Sequence, residues 1–130
     1  MPEALFELRK TFRFEAAHRL PHLPPEHKCA RLHGHSFAVD VVVRGPLQQP
    51  QGWVMDFGDV SAACKPVVDG MLDHRYLNDI AGLENPTSEV LSAWLWQQLA
   101  ARLPLLHAIE VRETCTTGCI YRGPSLASEA

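Results

Sequence analysis

The residues of this chain whose spacing best suits chemistry are His33-Gly34-His35. On an extended backbone, residues two apart project from the same face, so the two imidazoles point the same way. The glycine between them removes bulk and lets a ligand or another backbone approach. A third histidine, His18, closes a segment of strand-like alternation in Ala16-Ala17-His18-Arg19. If that strand pairs antiparallel with the one beginning near His33, its end lies beside the other's start, and His18 joins His33 and His35. Three neutral imidazoles suit Zn²⁺ and leave its fourth position open, the arrangement of a catalytic site. The plainer reading of an isolated His-x-His is a pair of surface histidines, and it is the third histidine at a matching strand end that weighs against it.

Other reactive side chains surround this trio in sequence. Cys29 precedes His33 by four positions, with Lys28 and Arg31 close by. A positive setting favours a thiolate usable as base or nucleophile, whereas a lone cysteine is more often a small buried hydrophobe. Asp73-His74 pairs a carboxylate with an imidazole, which suits a proton relay; His74 placed near a helix C-terminus is the structural alternative. Glu113 falls in phase with Ile109 and Val111 and is expected to point inward, where it needs partners: an ion pair, or the N–H donors of a ligand. Cys64, among Ala62, Ala63 and Val67, reads as core. Cys115 and Cys119 flank a Thr-Thr-Gly turn and read as structural, since no second pair completes a metal site.

The elements that must carry these residues follow from periodicity. Alternation over Leu5–Ala17 sets Phe6, Leu8, Phe12 and Phe14 against Glu7, Arg9, Arg13 and Glu15, a half-buried strand. Leu20–Ala30, with three prolines and no period, is a loop. A second strand is expected over Ser36–Arg44, stopped by Gly45-Pro46, and a short one over Trp53–Phe57. Asp59 is expected to cap a helix running to about Leu72 that Pro66 kinks or divides. Asn85-Pro86-Thr87 starts a second helix that buries Val90, Leu91, Trp94, Leu95 and Leu99. Strands over His107–Thr114 and Cys119–Arg122 follow. Strands at both ends with two helices between them predict an α+β domain, an antiparallel sheet covered on one face.

Composition limits the function classes. With 130 residues, the chain has room for one domain, expected over 1–124 with a loose tail at 125–130. Fifteen acidic against twelve basic residues give a net charge of −3, so no general basic field favours nucleic acid or an anionic membrane. Apolar runs are too short to span a bilayer, and the N-terminus lacks the pattern of a signal peptide. Four cysteines without an export signal are then expected to be thiols in the reducing cytoplasm.

Six motifs in order carry a resemblance that covers nearly the whole chain. They are Phe14-Glu15-Ala16-Ala17-His18-Arg19-Leu20, Cys29-Ala30-Arg31-Leu32-His33-Gly34-His35-Ser36, Met55-Asp56-Phe57, Leu72-Asp73-His74, Asn85-Pro86-Thr87-Ser88-Glu89 and Glu113-Thr114-Cys115. Together they resemble the 6-pyruvoyltetrahydropterin synthase family. The three residues between Cys29 and His33-Gly34-His35, and the Cys115–Gly123 segment, resemble most closely its queuosine-pathway branch, which forms 6-carboxytetrahydropterin.

The resemblance implies the tunnelling fold (T-fold): a four-stranded antiparallel sheet with two helices on one face, assembled as a homohexamer of two trimers with active sites between subunits. It implies Zn²⁺ on His18, His33 and His35, and a pterin triphosphate, 7,8-dihydroneopterin triphosphate, as substrate. Cys29, Asp73, His74 and Glu113 are implied as catalytic, with Glu113 also anchoring the pterin. Thr87 and Ser88 are implied to add hydrogen bonds to that ring. Lys28 and Arg31 are the nearest cations by sequence for the triphosphate. A 6-pyruvoyltetrahydropterin-forming or sepiapterin-cleaving enzyme is the alternative within the family, and a zinc-stabilised scaffold without catalysis the alternative outside it.

Overall fold

Two long strands form the spine of the molecule, β1 (Leu5–His18) and β2 (His33–Pro46), paired antiparallel along their whole length. The computed structural model describes residues 4–124; the tail expected at 125–130 lies outside them. Period-2 alternation decides which face is buried. Phe12, Phe14, Ala16 and His18 of β1 and Phe37, Val39, Val41 and Val43 of β2 are buried on one face. The Phe14 and Phe37 rings stack across the pair, their centroids 4.9 Å apart. Phe6, expected on this face, lies near the outer end of the pair, opposite Gly45, and is exposed.

Two helices cover that face. In α1 (Phe57–Val67), Val60, Cys64 and Val67 point into the core; in α2 (Ser88–Ala100), Leu91, Trp94, Leu95 and Leu99 do. Thr87 caps α2, its hydroxyl oxygen accepting from the Val90 N–H at 3.1 Å, as the Asn-Pro-Thr start predicts.

The sheet has five strands rather than the expected four, in the order β3-β1-β2-β4-β5. The additional one is β3 (Arg75–Tyr76), two residues that run parallel to β1 beside Ala16 and Ala17. So short a segment carries no periodicity to read. β4 (Leu106–Arg112) pairs with β2, and β5 (Cys119–Tyr121) with β4.

Two further expectations are corrected. Trp53–Phe57 is not a strand: Trp53 makes a single isolated bridge to Gln48 before the chain turns into α1. The residue capping α1 is Asp56, not Asp59; Asp56 has extended dihedrals and accepts from the Gly58 N–H at 2.8 Å. Asp59 stands in the first turn instead, where its charge favours the positive helix end. Pro66, which has no N–H to give, sits at the end of α1, and the chain widens into a π turn over Val68–Leu72. The helical stretch is thus divided near Pro66, as expected, and ends just before Asp73.

The helix-free face of the sheet is polar, yet Asp40 at its centre is only 2% exposed. It accepts from Thr11 Oγ1 at 2.7 Å and from both terminal nitrogens of Arg112, which also reaches Glu110. Burial by itself would raise the Asp40 pKa; the Arg112 and Thr11 hydrogen bonds outweigh it and hold the carboxyl below its ordinary value. A carboxylate with a depressed folded pKa contributes stability above its unfolded pKa and loses it as pH falls through the folded value. Asp40→Asn is therefore expected to cost about 2 kcal/mol at neutral pH. The cost should shrink below about pH 4, which urea unfolding of both proteins across that range measures.

Candidate active site

The register between β1 and β2 assembles the histidines. His18, the last residue of β1, lies directly opposite His33, and Ala16 lies opposite His35. All three side chains therefore leave the core-facing side at one end of the strand pair. Each offers a ring nitrogen, and these atoms all lie within 4.8 Å of one another. The ring centroids are 4.7 Å apart for His18–His33 and His33–His35, and 5.2 Å for His18–His35. Phe37 forms an apolar floor, 5.4 Å from His18 and 5.7 Å from His35.

Backbone carbonyls set two of the rings. His18 Nδ1 is 3.1 Å from the Pro86 carbonyl, and His33 Nδ1 is 2.6 Å from the Arg31 carbonyl. A carbonyl only accepts, so each Nδ1 carries the proton and each Nε2 presents a lone pair. His18 Nε2 is buried and has no hydrogen-bond partner among the described residues. An orphaned buried acceptor is costly unless something binds it. Burial lowers the His18 pKa, opposed by the Glu113 charge and the Pro86 carbonyl, with His33 and His35 lowering it further. That direction favours the neutral ring, the form in which an imidazole ligates. Three imidazole donors and one unpaired buried nitrogen fit a divalent cation of borderline softness.

Asp73 and His74 stand on the other side of β1. The Glu15 N–H donates to Asp73 at 2.9 Å, and the Glu15 carbonyl accepts from the His74 N–H at 2.6 Å. These two bonds clasp the dyad to the strand and hold His74 in the left-handed region, at φ 60°. Asp73 also meets His74 Nδ1 at 2.9 Å. The Glu15 N–H first, and His74 second, hold the Asp73 carboxyl below its ordinary pKa. His74 and His35 share a cavity of about 510 Å³ with Glu15, Gly34, Ser36 and Tyr76. A Cβ at Gly34 would meet only the Ala16 carbonyl, at 3.8 Å. Gly34 is therefore not demanded by the chain's own packing, and its bareness opens the cavity.

Glu113 lies just past β4, beyond β2 from the dyad; the strand ends two residues sooner than expected. The carboxylate is half-buried and accepts from Ser88 Oγ at 3.2 Å. It borders two smaller cavities of about 320 and 270 Å³, one shared with Arg13 and Thr114, the other with Ser88 and Thr117.

The loop residues are placed more loosely. Cys29 is half-buried in a 3₁₀ turn (Lys28–Ala30), its N–H bonded to His27 Nδ1 and its carbonyl to the Leu20 N–H. It does not line the cavity of His35 and His74. Lys28 and Arg31 are exposed, and Arg31 touches the histidines through its carbonyl. The Thr87 hydroxyl oxygen is occupied by the helix cap. Burial pushes the Cys64 thiol up to about 11, consistent with a core role. Cys119 meets Ser92 Oγ at 3.7 Å, and Cys115 is exposed.

Reading the residues one by one misses the Pro86 and Arg31 carbonyls, the Glu15 backbone clasp and Ser36, whose hydroxyl donates to the Glu15 carboxylate at 2.7 Å. Alternation does put Glu15 and Ser36 on one outward face; backbone groups carry no such signal.

Residues 7–124 match the sequence profile described as 6-pyruvoyl tetrahydropterin synthase. The chain belongs to this enzyme family. It is 49% identical over 123 residues to the 6-carboxy-5,6,7,8-tetrahydropterin synthase of Synechocystis, with 91% of this chain and 94% of that protein covered. It is 39% identical to the dihydroneopterin monophosphate aldolase of Pyrococcus furiosus, over 70% of this chain and 72% of that one. The 6-pyruvoyl tetrahydropterin synthase structure from Caenorhabditis elegans superposes with a TM-score of 0.86 at 25% identity, covering 95% and 99% of the two chains. That likeness confirms the T-fold expected for this chain, whose own sheet has five strands. No helix among the described residues is long and apolar enough to cross a membrane.

The purified protein is expected to bind about one divalent cation per chain, and His33→Ala to weaken that binding at least tenfold. Equilibrium dialysis with elemental analysis measures both.

Proposed function

We propose that the chain is a zinc-dependent carbon–carbon lyase of queuosine biosynthesis. It would convert 7,8-dihydroneopterin triphosphate and water to 6-carboxy-5,6,7,8-tetrahydropterin, acetaldehyde and triphosphate. The observation that carries this reading is the convergence of His18, His33 and His35 on one point, with the Asp73–His74 dyad and Glu113 on either side of it. The 49% identity to a protein bearing that synthase name supports the choice of reaction.

In this reading His18 and His33 ligate through Nε2, with His35 as the third ligand. Bound zinc supplies Lewis acidity toward the oxygens of the substrate side chain. Cys29, as thiolate, removes a side-chain proton. Asp73 meets His74 Nδ1 and orients its ring, so that His74 can carry a proton to or from the cavity it shares with His35. Glu113 accepts from the amino and ring N–H groups of the pterin, a bidentate contact suited to a carboxylate. Ser88 orients it, or contributes a hydrogen bond of its own to the ring. Lys28 and Arg31, on the exposed loop, meet the triphosphate. One domain over 1–124 performs this as a cytoplasmic homohexamer, with sites completed between subunits.

A second reading stays inside the family. The 6-pyruvoyl tetrahydrobiopterin synthase of Drosophila melanogaster is 32% identical over 95% of this chain, and a pyruvoyl-forming or sepiapterin-cleaving activity would use the same residues. Product analysis separates the two. Incubation with dihydroneopterin triphosphate is expected to release acetaldehyde and a 6-carboxypterin by mass spectrometry; a pyruvoyl product without acetaldehyde would favour the second. Cys29→Ala is expected to keep zinc and pterin binding while turnover falls at least 100-fold.

A further inference from the structure

The start of α2 reaches both halves of the candidate site. The Pro86 carbonyl accepts from His18 Nδ1 at 3.1 Å, and two residues later Ser88 Oγ donates to Glu113 at 3.2 Å. Between them stands Thr87, whose hydroxyl oxygen accepts from the Val90 N–H at 3.1 Å. Its carbonyl accepts from the Leu91 N–H at 2.9 Å, and its own N–H donates to the Asn85 carbonyl at 2.9 Å. Thr87 thus pins this turn to the body of the helix on one side and to the preceding loop on the other. The Pro86 ring is buried, so the carbonyl is presented from a packed residue.

We infer that Thr87 is a positioning residue for the metal site: by capping α2 it holds the Pro86 carbonyl on His18 and thereby fixes which ring nitrogen of His18 faces the ion. The inference rests on the reading that the histidine trio ligates a metal. Proline has no N–H, and a carbonyl can only accept; the Pro86 position therefore dictates the Nδ1–H tautomer of His18 and leaves Nε2 as the lone-pair nitrogen. Nε2 is the atom found buried without a partner. The outer partner of a ligating imidazole commonly governs metal affinity tenfold or more. Here that partner is a main-chain group, which no side-chain substitution removes directly, so its control passes to whatever fixes the turn. A hydroxyl that binds pterin directly would have no such effect on the ion.

The test compares Thr87→Val, which keeps the shape and removes the hydroxyl, with Thr87→Ser, which keeps the cap. Zn²⁺ affinity is measured on folded full-length protein by competition with a chelator, and the His18 ring is observed by ¹⁵N NMR in the metal-free state near pH 8. Thr87→Val is expected to weaken zinc binding about tenfold and to mix the His18 tautomers; Thr87→Ser stays within twofold of the unaltered protein. If Thr87→Val binds zinc as the unaltered protein does while only its thermal midpoint falls, Thr87 is a helix cap and nothing more. Should that variant not fold, the tautomer in the unaltered protein decides: a proton on Nδ1 supports the inference and a proton on Nε2 overturns it. Failure of the unaltered protein to bind zinc would bring down the metal reading itself, a result distinct from equal binding by both proteins.

Discussion

The antiparallel register between β1 and β2 is the constraint on which the site depends. With His18 opposite His33 and Ala16 opposite His35, three imidazoles share one face at one end of the pair. A slip of one residue would turn every β1 side chain to the opposite face. The buried Phe12, Phe14, Val39, Val41 and Val43 make such a slip prohibitive, because it would expose the hydrophobic face and bury the charged one. The core thus specifies the arrangement of the three imidazoles at a distance, through the same alternation that specifies the fold.

Around that fixed point the protein uses main-chain groups as positioning devices. The Pro86 and Arg31 carbonyls orient two rings, and the Glu15 backbone clasps Asp73 and His74 from the far edge of β1. Because β3 lies on one side of β1 and β4 on the other side of β2, the dyad and Glu113 flank the histidines. A main-chain anchor of this kind is not removed by replacing its own side chain, which gives the site rigidity without adding polar side chains to the core.

What was legible in the sequence divides along physical lines. Period-2 alternation carried β1 and β2, and with them the meeting of His18, His33 and His35, because pairing two strands end to start leaves few alternatives. The Asn-Pro-Thr start of α2 is local chemistry and was equally plain. β3 was not readable: its two residues pair only because Glu15 captures His74, a tertiary event with no periodic trace. The capping of α1 was misplaced by three residues because Asp56 and Asp59 are both competent caps, and only the path of the chain before them selects Asp56. The shortness of β4 likewise put Glu113 past a strand end, where Ser88 rather than a cross-strand neighbour meets it. Family membership was legible chiefly through six motifs in order; the residues singly left structural alternatives open.

On the proposed reading three imidazoles, and no thiolate, would hold the ion and leave Cys29 free for proton transfer. X-ray absorption at the zinc edge tests it most directly. The account predicts three imidazole nitrogens and a light oxygen donor at about 2.0–2.1 Å. A sulfur scatterer at about 2.3 Å, or fewer than three imidazoles, would contradict it.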